Sequence, residues 1–265
     1  MPSQAVVPSG NGPRGRGGPT PKPVQPSLAA AAAFARSSAT RQAHPESYTV
    51  ILPQYLHLRP DQLRRRWSAQ PSGDQKVVLF FNDQPPVRDN FIFSNWYHSP
   101  PFKFAIPEWC NAQWLTSQGL PAEVTVTEGE AALMLCKAAL MKDARSFGLI
   151  IQARGPEEAK RLGKKVAGFD EELWQSRVCA ISLAVVRRRI QHVPGLRTRV
   201  QAGAGHYFAE AAPNDRLHGI GLSATDERAG RPTEWQGSNV LGWAFMTAAA
   251  EARGPSSNLQ GKCRV

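Results

Sequence analysis

The chain has 265 residues, an apolar fraction of 42% and a formal net charge of +11. This length suits one large domain or two modest ones, and no apolar run approaches the roughly 20 residues of a membrane-spanning helix. The excess of basic residues suits an anionic ligand, either a phosphate group or a nucleic acid.

The four cysteines form no CxxC pair and have no histidine at the spacing of metal ligands. Such cysteines are typical of free thiols in a reducing compartment. The sequence therefore predicts no metal site and a cytoplasmic or nuclear location. Two Arg triplets, at 64–66 and 187–189, have the composition of solvated helix faces, and the alternative is a surface that recruits DNA or RNA.

Residues 1–46 form a leader rich in Pro, Gly, Ala and Arg. Residues 1–45 contain eight prolines, five glycines, five Lys and Arg residues and no acidic residue. A segment with so few large apolar side chains buries too little surface to offset its ordering entropy, so we predict disorder. The absence of acids is also a feature of transit peptides, which makes organellar targeting the alternative. Residues 254–265 are predicted to be a flexible tail.

Residues 47–253, between these ends, are predicted to form one domain. The run YTVILPQYLHL at 48–58 predicts a strand that is stopped by a proline. A short helix is expected to follow from Pro60. The β-branched and aromatic residues of 75–83 predict another strand.

The rest of the domain is predicted to be mainly helical. Strong helix formers without proline predict a helix over 127–143. Pro156 opens a second helix that stops near Gly163, and Asp170 can cap a third, longer helix. A strand-like segment at 206–212 precedes a final helix. We therefore expect an α+β fold, mainly helical with a few short strands.

The segment FSNWY, 93–97, places polar residues among aromatic ones. Ser94 and Asn95 are residue types that hydrogen-bond locally in turns, which would leave the aromatic side chains in the core. The alternative is a pocket wall, in which Trp96 stacks on a planar ring and an amide fixes that ring. The residues by themselves leave both interpretations open.

Glu130 also has two interpretations. Thr127-x-x-Glu130 is a capping-box pattern, in which the glutamate only satisfies a backbone N–H at the helix start. Lys137 lies seven residues later, two helical turns along the same face, and the helix between them is apolar. A carboxylate and an amine on one apolar face could form a catalytic pair with shifted pKa values.

A third polar cluster follows the predicted strand near the C-terminal end of the domain. Glu210, Asp215 and His218 lie within nine residues. Gly219 and Gly221 come next, and glycines allow a ligand to approach the backbone closely. Two carboxylic acids and a histidine in one loop predict a binding or catalytic site.

Five segments occur in an order and spacing similar to those of a known family. In chain order they are FSNWYHSPPF, EGEAALMLCKA, GPEEAKRLGKKVAGFDEELWQSR, AGAGHYFAEAAPNDRLHGIGL and GSNVLGWAFM. Together they resemble the NADAR family of YbiA-like N-glycosidases over about residues 79–252. The resemblance implies a single compact, mainly helical α+β domain. It also implies hydrolysis of a C–N glycosidic bond between a ribose phosphate or ADP-ribose and a nitrogenous base, without a metal or other cofactor.

The resemblance also implies the kind of partner that the chain would bind. Family substrates include ribosylaminopyrimidine phosphates of the riboflavin pathway and ADP-ribose attached to guanine. The expected partner is thus a phosphorylated ribosyl small molecule or ADP-ribosylated guanine in nucleic acid. Where the family usually has Trp-Gly-x-Gly, this chain has His218-Gly-Ile-Gly. That departure leaves a non-catalytic module that binds ADP-ribose or a nucleotide as the alternative.

The same resemblance implies functions for individual residues. Glu130 and Asp215 match the motif acids and would stabilise positive charge on the sugar and orient water. Lys137 would bind phosphate or attack the opened sugar as an amine. The remaining expected contacts to base, sugar or phosphate are Ser94, Asn95, Trp96, Trp174, Glu210, His218, Gly219, Gly221 and Asn239.

Overall fold

The computed structural model describes residues 48–252, apart from 72 and 74. Its helices are α1 (Pro53–Leu56), α2 (Pro60–Ser68), α3 (Ala112–Ser117), α4 (Gly129–Leu140), α5 (Ala144–Ile151), α6 (Pro156–Gly163), α7 (Glu171–His192), α8 (Leu196–Ala202) and α9 (Val240–Ala252). Its strands are β1 (Val77–Phe80), β2 (Phe102–Ala105), β3 (Glu123–Val126) and β4 (Tyr207–Glu210). Short 3₁₀ segments cover Arg88–Phe93, Glu108–Cys110, Glu227–Gly230 and Pro232–Glu234. The predicted leader and tail lie outside the described residues.

This architecture confirms the predicted α+β fold, mainly helical with a few short strands. The 22-residue α7 is its longest helix and packs against α4 and α9. Asp170 caps α7 as predicted, because its side chain accepts the Leu173 N–H at 3.0 Å. One stripe of apolar side chains on α7 is buried in the core; its members are Trp174, Val178, Ile181 and Val185.

The strands form two separate pairs. β1 and β4 are parallel, with Phe80 opposite Glu210. β2 and β3 are antiparallel, with Phe102 opposite Val126. Only two residues, 127 and 128, separate β3 from α4. The β2–β3 pair therefore fixes where α4 begins, and the β1–β4 pair fixes the position of Glu210.

Four aromatic side chains join the elements that surround Glu210. Phe80, Phe93, Phe208 and Phe245 come from β1, the 3₁₀ segment before Ser94, β4 and α9, and their ring centroids lie 5.1–6.0 Å apart in contacting pairs. The Phe208–Phe245 pair is stacked and the other pairs are edge-on or tilted, and both kinds of arrangement are favourable. This cluster holds the segment that begins at Ser94 beside the end of β4.

The strand predicted at 48–58 is wrong. The short helix α1 occupies its centre, with Pro53 in the first turn, and no strand is assigned to residues 48–58. Proline is well suited to the first turn of a helix, and a short apolar run does not distinguish a strand from a helix by its pattern.

The solvated-face interpretation of the Arg triplets is correct for only part of them. Arg64 and Arg65 are exposed. Arg188 and Arg189 are buried, with Arg189 only 1% exposed. In the second triplet, two of the three arginines are therefore buried and do not form a solvated face.

None of the described helices is long and apolar enough to cross a membrane. Cys110, Cys136 and Cys179 are free and buried, in agreement with the predicted free thiols, and Cys263 lies outside the described residues.

Candidate active site

A cavity of about 620 Å³ opens between the segment after Phe93, the start of α4, the side of α6 and the loop after β4. Seven of the expected site residues line it: Ser94, Asn95, Trp96, Glu130, Glu210, Asp215 and His218. The cavity thus brings together residues from all three polar clusters of the sequence. We refer to it below as the carboxylate cavity.

The segment Ser94–Trp96 is both a turn and a wall of the carboxylate cavity. The Tyr97 N–H donates to the Ser94 carbonyl at 3.1 Å, and the Trp96 N–H donates to the Ser94 hydroxyl at 3.2 Å. Ser94 and Asn95 are buried, whereas Trp96 is 39% exposed at the cavity rim. The two interpretations of this motif are therefore compatible, since the turn is what presents the wall.

Glu130 does not form the capping box that its sequence pattern suggests. The N-cap of α4 is Glu128, and the Thr127 hydroxyl donates to the Glu128 carboxylate at 2.8 Å. The Glu130 N–H instead donates to the Asn95 carbonyl at 2.9 Å. The Glu130 side chain is 4% exposed and faces the carboxylate cavity.

The surroundings of Glu130 disfavour its charged form. Burial and the nearby Asp215 carboxylate raise the pKa of Glu130 to about 7, against the opposing effects of Lys160, Lys164 and a side-chain hydrogen bond from Trp96. Near neutral pH this carboxyl group therefore exists in both protonation states, which is the property of a general acid or base.

Glu210 ends β4 and is held there by its backbone. The Asn239 side chain accepts the Glu210 N–H at 3.1 Å and donates to the Phe208 carbonyl at 2.8 Å. Within the described part of the chain, the buried Glu210 Oε2 has no hydrogen-bond partner. Burial and Asp215 raise the pKa of Glu210 to about 8, so it is mainly a neutral acid at pH 7.

Asp215 is the ionised member of the three acids. Its Oδ1 accepts the N–H groups of Leu217 at 3.0 Å and His218 at 2.8 Å, and its Oδ2 lies 3.5 Å from the Lys160 Nζ. Burial would raise the pKa of Asp215, but the neighbouring His218, these N–H donors and Lys160 outweigh burial and lower it.

His218 occupies the position where the family usually has tryptophan. Its Nδ1 lies 4.0 Å from Asp215, and its Nε2 is buried without a hydrogen-bond partner among the described residues. Burial lowers the pKa of His218, although Asp215 opposes this, so the ring is neutral at pH 7. A neutral imidazole with a free Nε2 can exchange one hydrogen bond with a bound molecule.

Lys160 is the central site residue that sequence reasoning missed. Burial would lower its pKa, but the carboxylates of Glu130, Asp215 and Glu210 raise it, so the amine is charged among three acids. The available signal was the i, i+4 spacing of Lys160 and Lys164, which places both on one side of a helix. Further lining residues not predicted are Phe81, Asn82, Asp83, Phe91, Ala212 and Asn214.

The close approach of α6 to α4 brings Lys160 to the acids. Gly163, at the end of α6, is buried against Met134 of α4, and a Cβ at Gly163 would overlap the Met134 thioether. Glycine therefore permits a contact between the two helices that no larger residue allows without displacement.

Lys137 and Trp174 do not line the carboxylate cavity. The Lys137 Nζ lies 4.1 Å from the ring centroid of Phe169 and 5.4 Å from that of Trp174. Trp174 itself is 4% exposed, in the core. Burial lowers the pKa of Lys137, and Glu171 opposes this effect. The charge of Lys137 in turn contributes to the lowered pKa of His218. Lys137 is not among the groups that shift the pKa of Glu130, whereas Lys160 is one of them and lines the cavity.

Gly219, Gly221 and Asn239 also lie outside the cavity lining. A Cβ at Gly219 would approach the carbonyl oxygens of Asp215 and Glu210 to 2.8 Å. Gly221 has a φ of +71°, in the left-handed region that favours glycine. Asn239 is fully buried with both ends of its amide bonded to β4. These residues shape the loop and strand that carry the acids.

In the part of the chain that the structure describes, no group of three or more His, Cys, Asp or Glu side chains is arranged to hold a metal ion.

Fold and site together define a mainly helical α+β protein whose cavity holds Glu130, Glu210 and Asp215 around Lys160. The family model of the NADAR domain matches residues 79–253. The chain therefore belongs to the NADAR domain family, as its five motifs predicted.

Curated relatives and a solved structure are similar to the chain. N-glycosidase R617 of Acanthamoeba polyphaga mimivirus is 27% identical over 176 residues, which cover 66% of this chain and 96% of that protein. Protein irg-1 of Caenorhabditis elegans is 29% identical over 118 residues, covering 44% of this chain and 56% of irg-1. The NMR structure of the E. coli protein YbiA superposes with a TM-score of 0.46 at 16% identity, covering 72% of this chain and 92% of YbiA.

Proposed function

We propose that this protein is an N-glycosidase that hydrolyses the C–N bond between a ribose phosphate or ADP-ribose and a nitrogenous base. The observation that carries the proposal is the carboxylate cavity, where Glu130, Glu210 and Asp215 surround Lys160 with their pKa values pushed apart. Acids of unequal pKa in one site can divide the functions of proton donor and charged carboxylate. The relative named as an N-glycosidase, aligned over 96% of its length, supports the same reaction.

Departure of the base is the first step of the proposed reaction. The C–N bond breaks, its electron pair goes to the base nitrogen, and positive charge develops on the ribose. Glu130 or Glu210, in the protonated form that the raised pKa favours, donates a proton to that nitrogen. Asp215 stays ionised beside Lys160 and stabilises the developing charge.

Water capture completes the reaction. A water oxygen bonds to the sugar carbon, and its proton passes to the carboxylate that donated the first proton, so the enzyme returns to its starting state. Trp96, partly exposed at the rim, offers a face for the leaving base. Lys164 lines the cavity and makes no ion pair with a described residue, so it is a suitable partner for a phosphate.

Two substrate classes fit this proposal: a ribosylaminopyrimidine phosphate of the riboflavin pathway and ADP-ribose attached to guanine, including guanine in nucleic acid. Both present a ribosyl carbon bonded to nitrogen next to phosphate. The carboxylate cavity supplies acids for the bond and lysines for the phosphate in either case.

The competing candidate is a module that binds ADP-ribose or a nucleotide without cleaving it. The specific observation in its favour is His218, which replaces the usual tryptophan of the family motif inside the cavity. In that case the three acids would contribute to binding alone.

Incubation with each substrate class and measurement of the released base by liquid chromatography separates the two candidates. The glycosidase proposal predicts release that Asp215→Asn abolishes. Binding of ADP-ribose without release of base from either substrate would establish the binding module instead. If nucleic acid is the carrier, the affinity should also fall steeply with salt.

A further inference from the structure

Arg189 lies behind the wall of the carboxylate cavity. It is on α7, it is 1% exposed, and no described carboxylate forms a salt bridge with it. Its guanidinium instead donates to four oxygens of one segment: the carbonyls of Ile92 at 2.7 Å, Phe93 at 3.1 Å and Ser94 at 2.8 Å, and the Asn95 Oδ1 at 3.3 Å.

These oxygens come from the end of the 3₁₀ segment Arg88–Phe93 and from the turn after it. The last carbonyls of a helical segment have no partner within the segment, and a cation is favoured there. The planar guanidinium, with five donors in a fixed fork, satisfies several converging oxygens at once. The shape of this segment therefore depends on Arg189.

The same segment contacts the start of α4. The Asn95 carbonyl accepts the Glu130 N–H at 2.9 Å. Gly129 packs closely against Asn95 and Arg189. A Cβ at Gly129 would lie 2.5 Å from the Asn95 Oδ1 and 3.0 Å from the Arg189 Cδ. Arg189, the Asn95 turn and the first turn of α4 are thus in direct contact.

We propose that Arg189 is a positioning residue, which holds the Ser94–Trp96 segment so that Asn95 and Trp96 fix the Glu130 carboxyl group in the cavity. This inference rests on the proposed glycosidase function, because the position of Glu130 matters only if Glu130 acts on a substrate. Arg189 does not touch the cavity; it acts through the turn that it holds.

The charge of Arg189 supports this arrangement. Burial and Asp215 raise the pKa of Glu210, and Arg189 is one of the cations that oppose the increase. Burial lowers the pKa of Arg189 to about 10, which still leaves the guanidinium charged at neutral pH. A charged Arg189 therefore adds to the positive potential around the acids as well as to the geometry.

The test compares Arg189→Lys with Arg188→Lys. Arg188 is the adjacent residue of the same helix and is also buried, but its Nε donates to the Lys103 carbonyl and its guanidinium lies 4.8 Å from the Tyr48 ring centroid. The two variants make the same chemical change at similar depth, and only one of them touches the Ser94–Trp96 segment.

Kinetics give the first measurement. We expect Arg189→Lys to lower kcat by about 10²-fold with a smaller change in KM, because small displacements of catalytic groups have effects of that size. Arg188→Lys should retain kcat within about twofold. Equal loss in both variants would show that the α7 arginines only stabilise the helix, and would overturn the inference.

Hydrogen–deuterium exchange gives a second measurement that needs no catalysis. Amides of residues 92–97 and of Glu130 should exchange faster in Arg189→Lys than in wild type, and not in Arg188→Lys. Unchanged exchange there in Arg189→Lys overturns the positioning inference whatever the activity. If the wild-type protein releases no base, that result counts against the proposed function. The exchange experiment still tests whether Arg189 holds the Ser94–Trp96 segment.

Gly129→Ala is the second variant if Arg189→Lys fails to fold. Its added Cβ displaces Asn95 without removing a charge. The inference predicts the same loss of kcat and the same local increase in exchange. Normal kcat and normal exchange in this variant would contradict it.

Discussion

The Glu130 N–H donates a hydrogen bond of 2.9 Å to the Asn95 carbonyl, across 35 positions of the sequence. The bond takes up an N–H that a capping box would satisfy locally. It also connects the FSNWY motif to the first turn of α4, beside the cavity that the Glu130 carboxyl group faces.

Glu130→Gln tests the proposed proton transfer. The amide keeps the shape of the side chain but cannot donate a carboxylic proton, so kcat should fall by about 10²-fold or more. Binding of ADP-ribose, measured by calorimetry, should change little. Glu128→Gln is the matched control, since Glu128 is equally buried two residues earlier but does not line the cavity. Full activity in Glu130→Gln would remove Glu130 from the mechanism.

Lys160→Met should move the acidic limb of the pH–rate profile to higher pH. Lys160 helps to keep the pKa of Asp215 low, and it opposes the raised pKa of Glu130. Without this charge Asp215 becomes protonated at a higher pH, and its ionised form is lost sooner as the pH falls. The exposed Lys165, on the same segment, provides the control Lys165→Met. A profile that is identical in both variants would contradict the central position of Lys160.

Glu210→Gln should stabilise the protein at high pH. The pKa of Glu210 is about 8 in the folded protein, above its ordinary value of 4.5, so the folded state retains the proton more strongly. Stability from this group is therefore present below about pH 4.5 and is lost as the pH rises through about 8. Glutamine avoids that loss.

Thermal unfolding at two pH values measures the effect. One pKa unit corresponds to about 1.4 kcal/mol, and 1 kcal/mol to about 2–4 °C in Tm for a domain of about 200 residues. The Tm of Glu210→Gln should exceed that of wild type by several degrees at pH 8.5 and by much less at pH 5. An equal difference at both pH values would indicate a packing effect instead.

Gly163→Ala should weaken the contact between α6 and α4. The added methyl group overlaps the Met134 side chain, and overpacking of this kind costs about 1–3 kcal/mol. Because Lys160 lies one turn earlier on α6, the rate of base release should also decrease. Both effects follow from one displacement of α6.

Gly148→Ala is the control for that experiment. Gly148 lies within α5 and has no heavy atom within 4 Å of an added Cβ. Alanine should therefore stabilise the helix by about 0.5–1 kcal/mol and leave the rate unchanged. Chemical denaturation provides the comparison, and a neutral Gly163→Ala would show that the helices can separate without cost.

Local sequence predicted five of the nine described helices, namely α2, α4, α6, α7 and α9. The helix-forming residues at 127–143 indicate α4, which spans Gly129–Leu140. Pro156 indicates the start of α6, and Asp170 indicates the start of α7; these helices span Pro156–Gly163 and Glu171–His192. Each of these signals acts within one or two turns of the chain. The family, too, could be identified from the order of its motifs, because that order is a property of the sequence.

The composition of the cavity depends on contacts that local patterns do not describe. Lys160 was difficult to predict as a site residue, because the acids that surround it lie 30 to 55 residues away in the sequence. Conversely, Lys137 has the right spacing from Glu130, but its amine lies over the rings of Phe169 and Trp174 and does not line the cavity.

The sequence by itself thus determined the family, the fold class and seven of the residues that line the cavity. Only the tertiary structure decided that the Glu130 carboxyl group is not a helix cap, that Lys160 lies among three acids, and that Arg189 is buried behind the Asn95 turn. The physical reason is that helix propensity and capping act between near neighbours. Burial and charge, which set the pKa of each acid, depend on every element that packs around it.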